Sequence, residues 1–164
     1  MIDHFTLSVA DMARSKEFYT RALQPLGYTV LMDFGELVGF GDGRKPYFWL
    51  KASATPTQPM HIAFEARSRA AVDAFHAAAL QAGARDDGSP GVRSEYHPNY
   101  YGAFVVELNG HPIEAVSHLP HKKVSAQRVA QKAGAPKSRP KGSPRKAAGK
   151  KAIARRKSAG RKRR

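Results

Sequence analysis

The sequence predicts an α+β fold in which two βαβββ modules form a curved mixed sheet around a shared cavity, followed by a disordered basic tail. Three observations lead to this prediction. The pattern that begins at His4 begins again at His61, 57 positions later (61 − 4). One helix-like segment and three further strand-like segments follow each histidine in the same order. The composition then changes abruptly near residue 120, beyond which there is no acidic residue.

The first module, about residues 1–52, opens with a strand over 2–9 in which apolar and polar residues alternate. Asp11 is a suitable N-cap for a helix over 12–24, which ends at Pro25. The three strand-like runs that complete the module are 28–34, 36–41 and 46–51.

The second module, about residues 60–118, follows a linker over 52–59 and opens with another alternating strand. Ser68 is a suitable N-cap for the second helix, which ends at Gly83. The remaining segments are a Gly/Asp/Pro-rich stretch at 86–91 with a weak strand after it, and the strand-like runs 101–108 and 111–117, joined by the turn Asn109-Gly110.

Residues 1–120 have the length and composition of one globular domain, with 10 Lys and Arg against 13 Asp and Glu. Residues 121–164 hold 18 Lys and Arg, so the overall net charge of +15 is the sum of −3 and +18. The chain has no cysteine, which excludes disulfides and thiolate metal ligands. It shows neither a signal-peptide pattern nor an apolar run that could span a bilayer, so we expect a soluble cytoplasmic protein without membrane association.

Three residues of the repeat have side chains that bind divalent metals: His4, His61 and Glu114. Each histidine opens a first strand on the face opposite to its apolar residues, and Glu114 alternates with Ile113 and Ala115 in the last strand. Two imidazoles and one carboxylate suit Fe(II), Mn(II), Ni(II) or Zn(II) and leave positions open for a substrate. The alternative is that the three are unrelated polar residues on a cavity wall.

These patterns resemble the vicinal oxygen chelate superfamily, which contains glyoxalase-type lyases, bleomycin-resistance-type binding proteins and extradiol dioxygenases. The resemblance covers about residues 1–118 and is most specific in the final hairpin. The segments that carry it are Asp3-His4, Asp11, Phe18-Tyr19, Met60 to Phe64, and Tyr100 to Val116.

In such proteins the metal ligands lie in the first and last strands of each module. The resemblance therefore implies His4, His61 and Glu114 as ligands, with a fourth position near Trp49, where no carboxylate is present. This departs from the four ligands of glyoxalase-type lyases. It matches the two-histidine, one-carboxylate set of the extradiol dioxygenases, although those often carry two such double modules.

The resemblance leaves two activities open. One is a divalent-metal-dependent enzyme, a glyoxalase-like lyase or isomerase or an extradiol-type dioxygenase, that chelates a small substrate through adjacent oxygens. The other is a metal-independent protein that binds an aromatic or cationic small molecule, as bleomycin-resistance-type proteins do. The sequence also leaves open whether the modules pair within one chain or are exchanged between the two copies of a homodimer.

Further candidate residues come from the aromatic segments. Histidine is the side chain that most often moves protons near neutral pH, so His97 is a candidate general acid or base, and Tyr101 could orient a substrate oxygen. The alternative is a surface loop packed by its own tyrosines. Tyr47 and Trp49 share a strand face and are candidates for the wall of the substrate pocket, the alternative being ordinary core packing. The histidines near the end of the domain, His111, His118 and His121, are predicted to be solvated.

The segment over 121–164 is predicted to be disordered, because it has too little apolar area to offset the entropy of ordering. Residues 122–164 are predicted to bind nucleic acid or another polyanion without sequence specificity, which gives a third hypothesis, a nucleic-acid-associated protein anchored by its tail. The segment has no aromatic residue that could stack on bases. The alternative is a tolerated extension with no partner.

Overall fold

The computed structural model describes residues 2–120. The prediction of disorder over 121–164, and that of a solvated His121, lie outside these residues. Within the described part, no helix is both long and apolar enough to span a membrane.

Each half of the described chain has the element order βαβββ, which confirms the predicted α+β fold. The first module consists of β1 (Phe5–Val9), α1 (Met12–Leu23), a short 3-10 helix (Gln24–Leu26), β2 (Thr29–Asp33), β3 (Leu37–Gly41) and β4 (Pro46–Ala52). The second module consists of β5 (Ile62–Glu65), α2 (Arg69–Gln81), β6 (Arg85–Val92), β7 (Tyr101–Val106) and β8 (Pro112–Ser117).

Each module forms its own four-stranded mixed sheet, in the orders β1-β4-β3-β2 and β5-β8-β7-β6. The first and last strands of a module are parallel neighbours, and the other pairs are antiparallel. A residue in the first strand of a module therefore lies beside one in the last strand, although more than forty positions separate them in the sequence.

The helices begin at the predicted caps. The Asp11 carboxylate accepts a hydrogen bond from the Arg14 N–H at 3.0 Å, and the Ser68 hydroxyl accepts one from the Ala71 N–H at 3.1 Å. After α2 the chain turns at Gly83, which has a φ of 101°, a left-handed conformation that favours glycine.

The faces of the two sheets that point towards the helices share one apolar core. Phe64 of β5 joins the modules, with its ring centroid 6.5 Å from that of Phe5, 5.7 Å from that of Phe48 and 5.6 Å from that of Tyr28. The opposite face of each sheet, called the open face below, carries His4, Thr6 and Trp49 in the first module and His61, Ala63 and Glu114 in the second.

The predicted linker follows the outer edge of β1. Ser53 N–H donates to the Val9 carbonyl at 3.0 Å, Thr57 N–H donates to the Ser8 carbonyl at 2.9 Å, and the Ser8 N–H donates to the Thr57 hydroxyl at 2.9 Å. The first of these bonds continues the parallel pairing of β1 with β4, whereas the two bonds with Thr57 occupy the Ser8 backbone groups on the other side of β1. The two sheets therefore do not continue into one another through the end of β1.

The weak second strand of the second module lies in the Gly/Asp/Pro-rich stretch itself, because β6 runs from Arg85 to Val92. The sequence placed this strand after the stretch, and that prediction is wrong. Pairing with β7 overrides the poor strand propensity, and register shifts near Gly88 absorb the mismatch. The strand is at the edge of its sheet, where Pro90 removes no hydrogen bond that a further strand would need.

The turn between β7 and β8 encloses a buried carboxylate. Glu107 accepts hydrogen bonds from the N–H groups of Asn109 at 2.9 Å and His111 at 3.1 Å, and from the Asn109 side-chain amide at 2.9 Å. That amide also donates to the Ser15 hydroxyl on α1 at 3.2 Å, which ties the hairpin to the first module. His111 is fully buried and its Nδ1 accepts from the Met60 N–H at 3.1 Å, so the prediction that His111 is solvated is wrong.

Candidate functional site

His61 and Glu114 lie side by side on the open face of the second sheet. Ala63 of β5 pairs with Glu114 of β8, and His61 comes two residues before Ala63 on the same face. The His61 Nε2 atom is 3.0 Å from Glu114 Oε2. Glu114 is buried, whereas 53% of the His61 side chain is exposed, so the pair joins a buried carboxylate to an imidazole that solvent can reach.

Tyr100 holds the second oxygen of the same carboxylate. Its hydroxyl donates to Glu114 Oε1 at 2.5 Å. Burial, together with the hydrogen bond to the carboxylate, raises the pKa of Tyr100 well above its usual range, so the hydroxyl keeps its proton at neutral pH. Gly102 makes room for this contact, because a Cβ there would lie 3.1 Å from Glu114 Oε1 and 3.2 Å from the Tyr100 ring.

Sequence reasoning did not select Tyr100; it selected the next residue, Tyr101. The structure places the Tyr101 hydroxyl on Asp73 of α2, to which it donates at 2.7 Å, on the helix side of the sheet. Strand alternation could have found Tyr100, since Phe104 pairs with Glu114 and Tyr100 lies an even number of residues before it.

His97 belongs to an aromatic group next to Tyr100 without contacting Glu114. The Tyr100 ring packs edge-on against Tyr96 at 5.0 Å and against His118 at 5.1 Å, and His118 lies 6.1 Å from His97. The His97 side chain is exposed, and its Nδ1 accepts a hydrogen bond from the Asn99 N–H at 3.1 Å. His97 thus lies at the rim of the site. His118 is exposed, in agreement with the prediction that it is solvated.

His4 lies in a different environment. Its Nδ1 is 2.8 Å from Asp3 Oδ1, and Asp3 also forms an ion pair with Lys45. The hydrogen bond with His4, followed by the contact with Lys45, lowers the pKa of Asp3. Since Nδ1 faces Asp3, the Nε2 atom is the nitrogen of His4 that is available for another ligand. His4 and Tyr47 line a crevice of about 630 Å³.

The three predicted ligands do not meet within one chain. Among residues 2–120, no three His, Asp or Glu side chains are close enough to one another to hold a metal. The reason is the packing of the first strands. The crevice around His4 is also lined by Glu65, the last residue of β5, and by Ala66 and Arg67 after it, whereas His61 precedes β5. The two histidines therefore lie at opposite ends of this strand, which rises about 3.3 Å per residue.

Trp49 occupies the position in the first module that Glu114 occupies in the second. Thr6, two residues after His4, pairs with Trp49, just as Ala63, two residues after His61, pairs with Glu114. The indole lies against Gly39 on the next strand, where a Cβ would approach Trp49 Cζ3 to 2.8 Å. The open face of the first sheet thus has a flat aromatic surface where the second has a carboxylate.

Residues 1–114 match the family described as the Glyoxalase/Bleomycin resistance protein/Dioxygenase superfamily. The chain belongs to this superfamily. A glyoxalase/bleomycin resistance protein from Albidiferax ferrireducens T118 is 26% identical, with a TM-score of 0.60 over 72% of this chain and 98% of that one. No curated protein matches the chain by sequence.

Two more distant structures share the fold. A glyoxalase/bleomycin resistance protein/dioxygenase family enzyme from Burkholderia phytofirmans PsJN is 17% identical, with a TM-score of 0.57 over 72% of this chain and 98% of that one. TioX from Micromonospora sp. ML1 is 15% identical, with a TM-score of 0.56 over 73% of this chain and 99% of that one. The superfamily covers metal-dependent enzymes and bleomycin-resistance-like proteins, so the local chemistry of the site has to distinguish between them.

The second module has two donors that fit a divalent metal. Metal–nitrogen and metal–oxygen bonds are about 2.0–2.2 Å long, so two donors at right angles on one metal are about 3 Å apart. The 3.0 Å separation of His61 Nε2 and Glu114 Oε2 meets this condition. Tyr100 bonds only the other oxygen, so Oε2, which contacts His61 Nε2 in this structure, is the oxygen that could bind a metal through a single atom.

Proposed function

We propose that the protein is a divalent-metal-dependent enzyme of the glyoxalase or dioxygenase type, acting on a small molecule that presents two adjacent oxygens. Its ligands would be His61 and Glu114 of one chain together with His4 of a second copy in a homodimer. The 3.0 Å contact between His61 Nε2 and Glu114 Oε2, in the registers expected for two ligands, is the observation that carries this proposal.

The residues around the site have separable roles in this proposal. A metal bound there would supply Lewis-acid polarisation of the substrate oxygens. Glu114 is buried and held by the Tyr100 hydroxyl, which fixes the orientation of the carboxylate before any ligand binds. His97 is exposed at the rim, where it could accept or return a substrate proton without displacing a ligand.

The second copy is inferred from what one chain leaves uncovered. His4 lines the crevice at the end of β5 that is opposite to His61, and its Nε2 is the ring nitrogen that does not contact Asp3. The open face of the first sheet also exposes apolar area, including 44% of Met32, which pairs with Gly39 beneath the Trp49 ring. A two-fold dimer could cover this face and bring His4 of each copy to the His61–Glu114 pair of the other.

Metal content of the purified full chain tests the proposal. After reconstitution with Fe(II), Mn(II), Ni(II) or Zn(II), we expect stoichiometric binding of one of these metals, and a loss of at least tenfold in affinity for Glu114→Gln and for His61→Ala. Glu36→Gln, on the exposed loop before β3, is the matched control and should bind like the wild type. An unchanged metal content in Glu114→Gln would contradict the proposal, as would a wild type that binds none of the four metals.

The aromatic surface of the first module favours a second candidate, a metal-independent protein that binds a planar or cationic compound. Trp49 lies against Gly39, and Tyr47 comes two residues before it on the same strand face. Trp49 is the single tryptophan of the chain, so its fluorescence reports on this surface alone. If this candidate is right, metal-free bleomycin should change the emission in the presence of a chelator and equally in Glu114→Gln. An unchanged emission at saturating bleomycin would count against it.

A further inference from the structure

Residues 121–164 have no part in the proposed function. The match to the superfamily ends at residue 114, and every residue of the proposed site precedes residue 120. Yet this segment holds 18 of the 28 Lys and Arg residues of the chain and no acidic residue. This excess of positive charge begins abruptly after the domain, and the proposed function does not explain it.

We propose that residues 121–164 bind double-stranded nucleic acid through its phosphates, without sequence specificity, and so hold the preceding domain close to it. Duplex DNA carries one negative charge per about 1.7 Å and releases condensed counterions when Lys or Arg neutralises its phosphates. The cations are spread along the segment and become densest over 150–164, where nine of the eighteen lie. Many phosphates can therefore be contacted at once.

The composition favours nucleic acid over a lipid surface. The only large apolar residues in the segment are Val124, Val129 and Ile153, and there is no aromatic residue. Segments that lie in a membrane interface insert Trp, Phe or Leu side chains into the acyl boundary, and none is present here. The same lack of aromatic residues removes base stacking as a source of binding to single strands.

The domain itself does not supply the binding surface. Residues 1–120 have a net charge of −3, and several of their basic side chains are already paired. Lys16 pairs with Asp33, Lys45 with Asp3, Arg44 with Asp42, and Arg21 with Glu17. Since a cation that already has a carboxylate partner gains less from a phosphate, the domain should be repelled by DNA or indifferent to it.

The test compares three full-length chains that share residues 1–120. In one, the Lys and Arg residues over 150–164 are replaced by Gln; in the second, the order of residues 121–164 is shuffled at constant composition; the third is the wild type. Binding to a labelled duplex of mixed sequence is measured by fluorescence anisotropy from about 50 to 200 mM salt, with anionic phosphatidylglycerol vesicles as the competing surface.

We expect the wild type and the shuffled chain to bind alike, with an affinity that falls steeply with salt. The Gln variant should bind at least tenfold more weakly, with about half the salt slope, because half of the cations are gone. Binding that is unchanged in the Gln variant or lost in the shuffled chain would overturn the proposal. So would tighter binding to the vesicles than to the duplex at equal salt. Metal content should be the same in all three chains, which keeps this outcome separate from that of the proposed function.

Discussion

Co-expressed His4→Ala and Glu114→Gln chains should bind metal, although neither variant should bind it alone. If His4 completes the site of the other copy, a mixed dimer has one intact site, made of His4 from the Glu114→Gln chain and the His61–Glu114 pair from the His4→Ala chain. Random pairing makes about half of the dimers mixed, each with one of two sites intact, so about a quarter of the wild-type metal content should return. Metal analysis of the co-purified chains measures this fraction.

A second mixture provides the control. His61→Ala and Glu114→Gln affect the same half of the site, so no pairing of these two chains gives an intact set of three ligands. Their mixture should bind no more metal than either chain alone. If the first mixture also fails while the wild type binds metal, His4 does not act across a dimer. The three residues would then have to come together within one chain, in an arrangement that this structure does not show.

Glu107→Ala should lower the free energy of unfolding by about 3 kcal/mol. The substitution leaves the two backbone donors of Asn109 and His111 and the Asn109 side-chain amide without their buried acceptor, and unsatisfied buried donors cost about 1–3 kcal/mol each before any relaxation or entry of water. It also weakens the link to α1, since the Asn109 amide that donates to Ser15 loses its anchor. Urea unfolding monitored by the Trp49 fluorescence and by circular dichroism measures the change.

Two companion variants make this result specific. Glu17→Ala removes an exposed carboxylate that pairs with Arg21 one helical turn away, so it should change stability by less than about 0.5 kcal/mol. Glu107→Gln keeps one acceptor oxygen and should therefore cost less than Glu107→Ala. A loss below about 1 kcal/mol in Glu107→Ala would show that the turn reorganises around the missing carboxylate.

Local signals predicted the elements of the fold well. Asp11 and Ser68 cap the helices through the hydrogen bonds that their residue types make at this position, and Gly83 adopts the conformation expected after a helix. The repeat then gave the module order, because a pattern restarting at His61 can form a second copy of the same unit.

The failures share a cause, which is that long-range packing decides them. The strand over Arg85–Val92 forms because β7 offers it a partner, against the preference of its own residues. In the sequence, His111 looks like part of an exposed turn. In the structure its ring accepts a hydrogen bond from Met60, which is distant in the sequence, and its N–H donates to Glu107, four residues before it. Neither partner can be inferred from the residues next to His111 in the sequence.

In the candidate site, too, the sequence predicted what local patterns determine and missed what long-range packing determines. The sequence predicted His61 and Glu114, which the parallel pairing of β5 and β8 brings together. It could not place His4 relative to them, because that depends on how Phe64 packs the two modules against each other. It also selected Tyr101 where the neighbouring Tyr100 contacts Glu114, a difference of one residue that moves a side chain to the other face of a strand.

The shared register of Trp49 and Glu114 bears on how a duplicated protein can diversify. Both residues lie in the middle of a last strand, on the face that does not pack against a helix. Each residue is matched to a glycine on the neighbouring strand, Gly39 against Trp49 and Gly102 beside Glu114, so an exchange at either place also requires a change around that glycine. One half of the repeat carries a carboxylate at this position and the other carries an indole. The open faces of the two modules therefore differ in chemistry while both modules keep the same strand order and share one core.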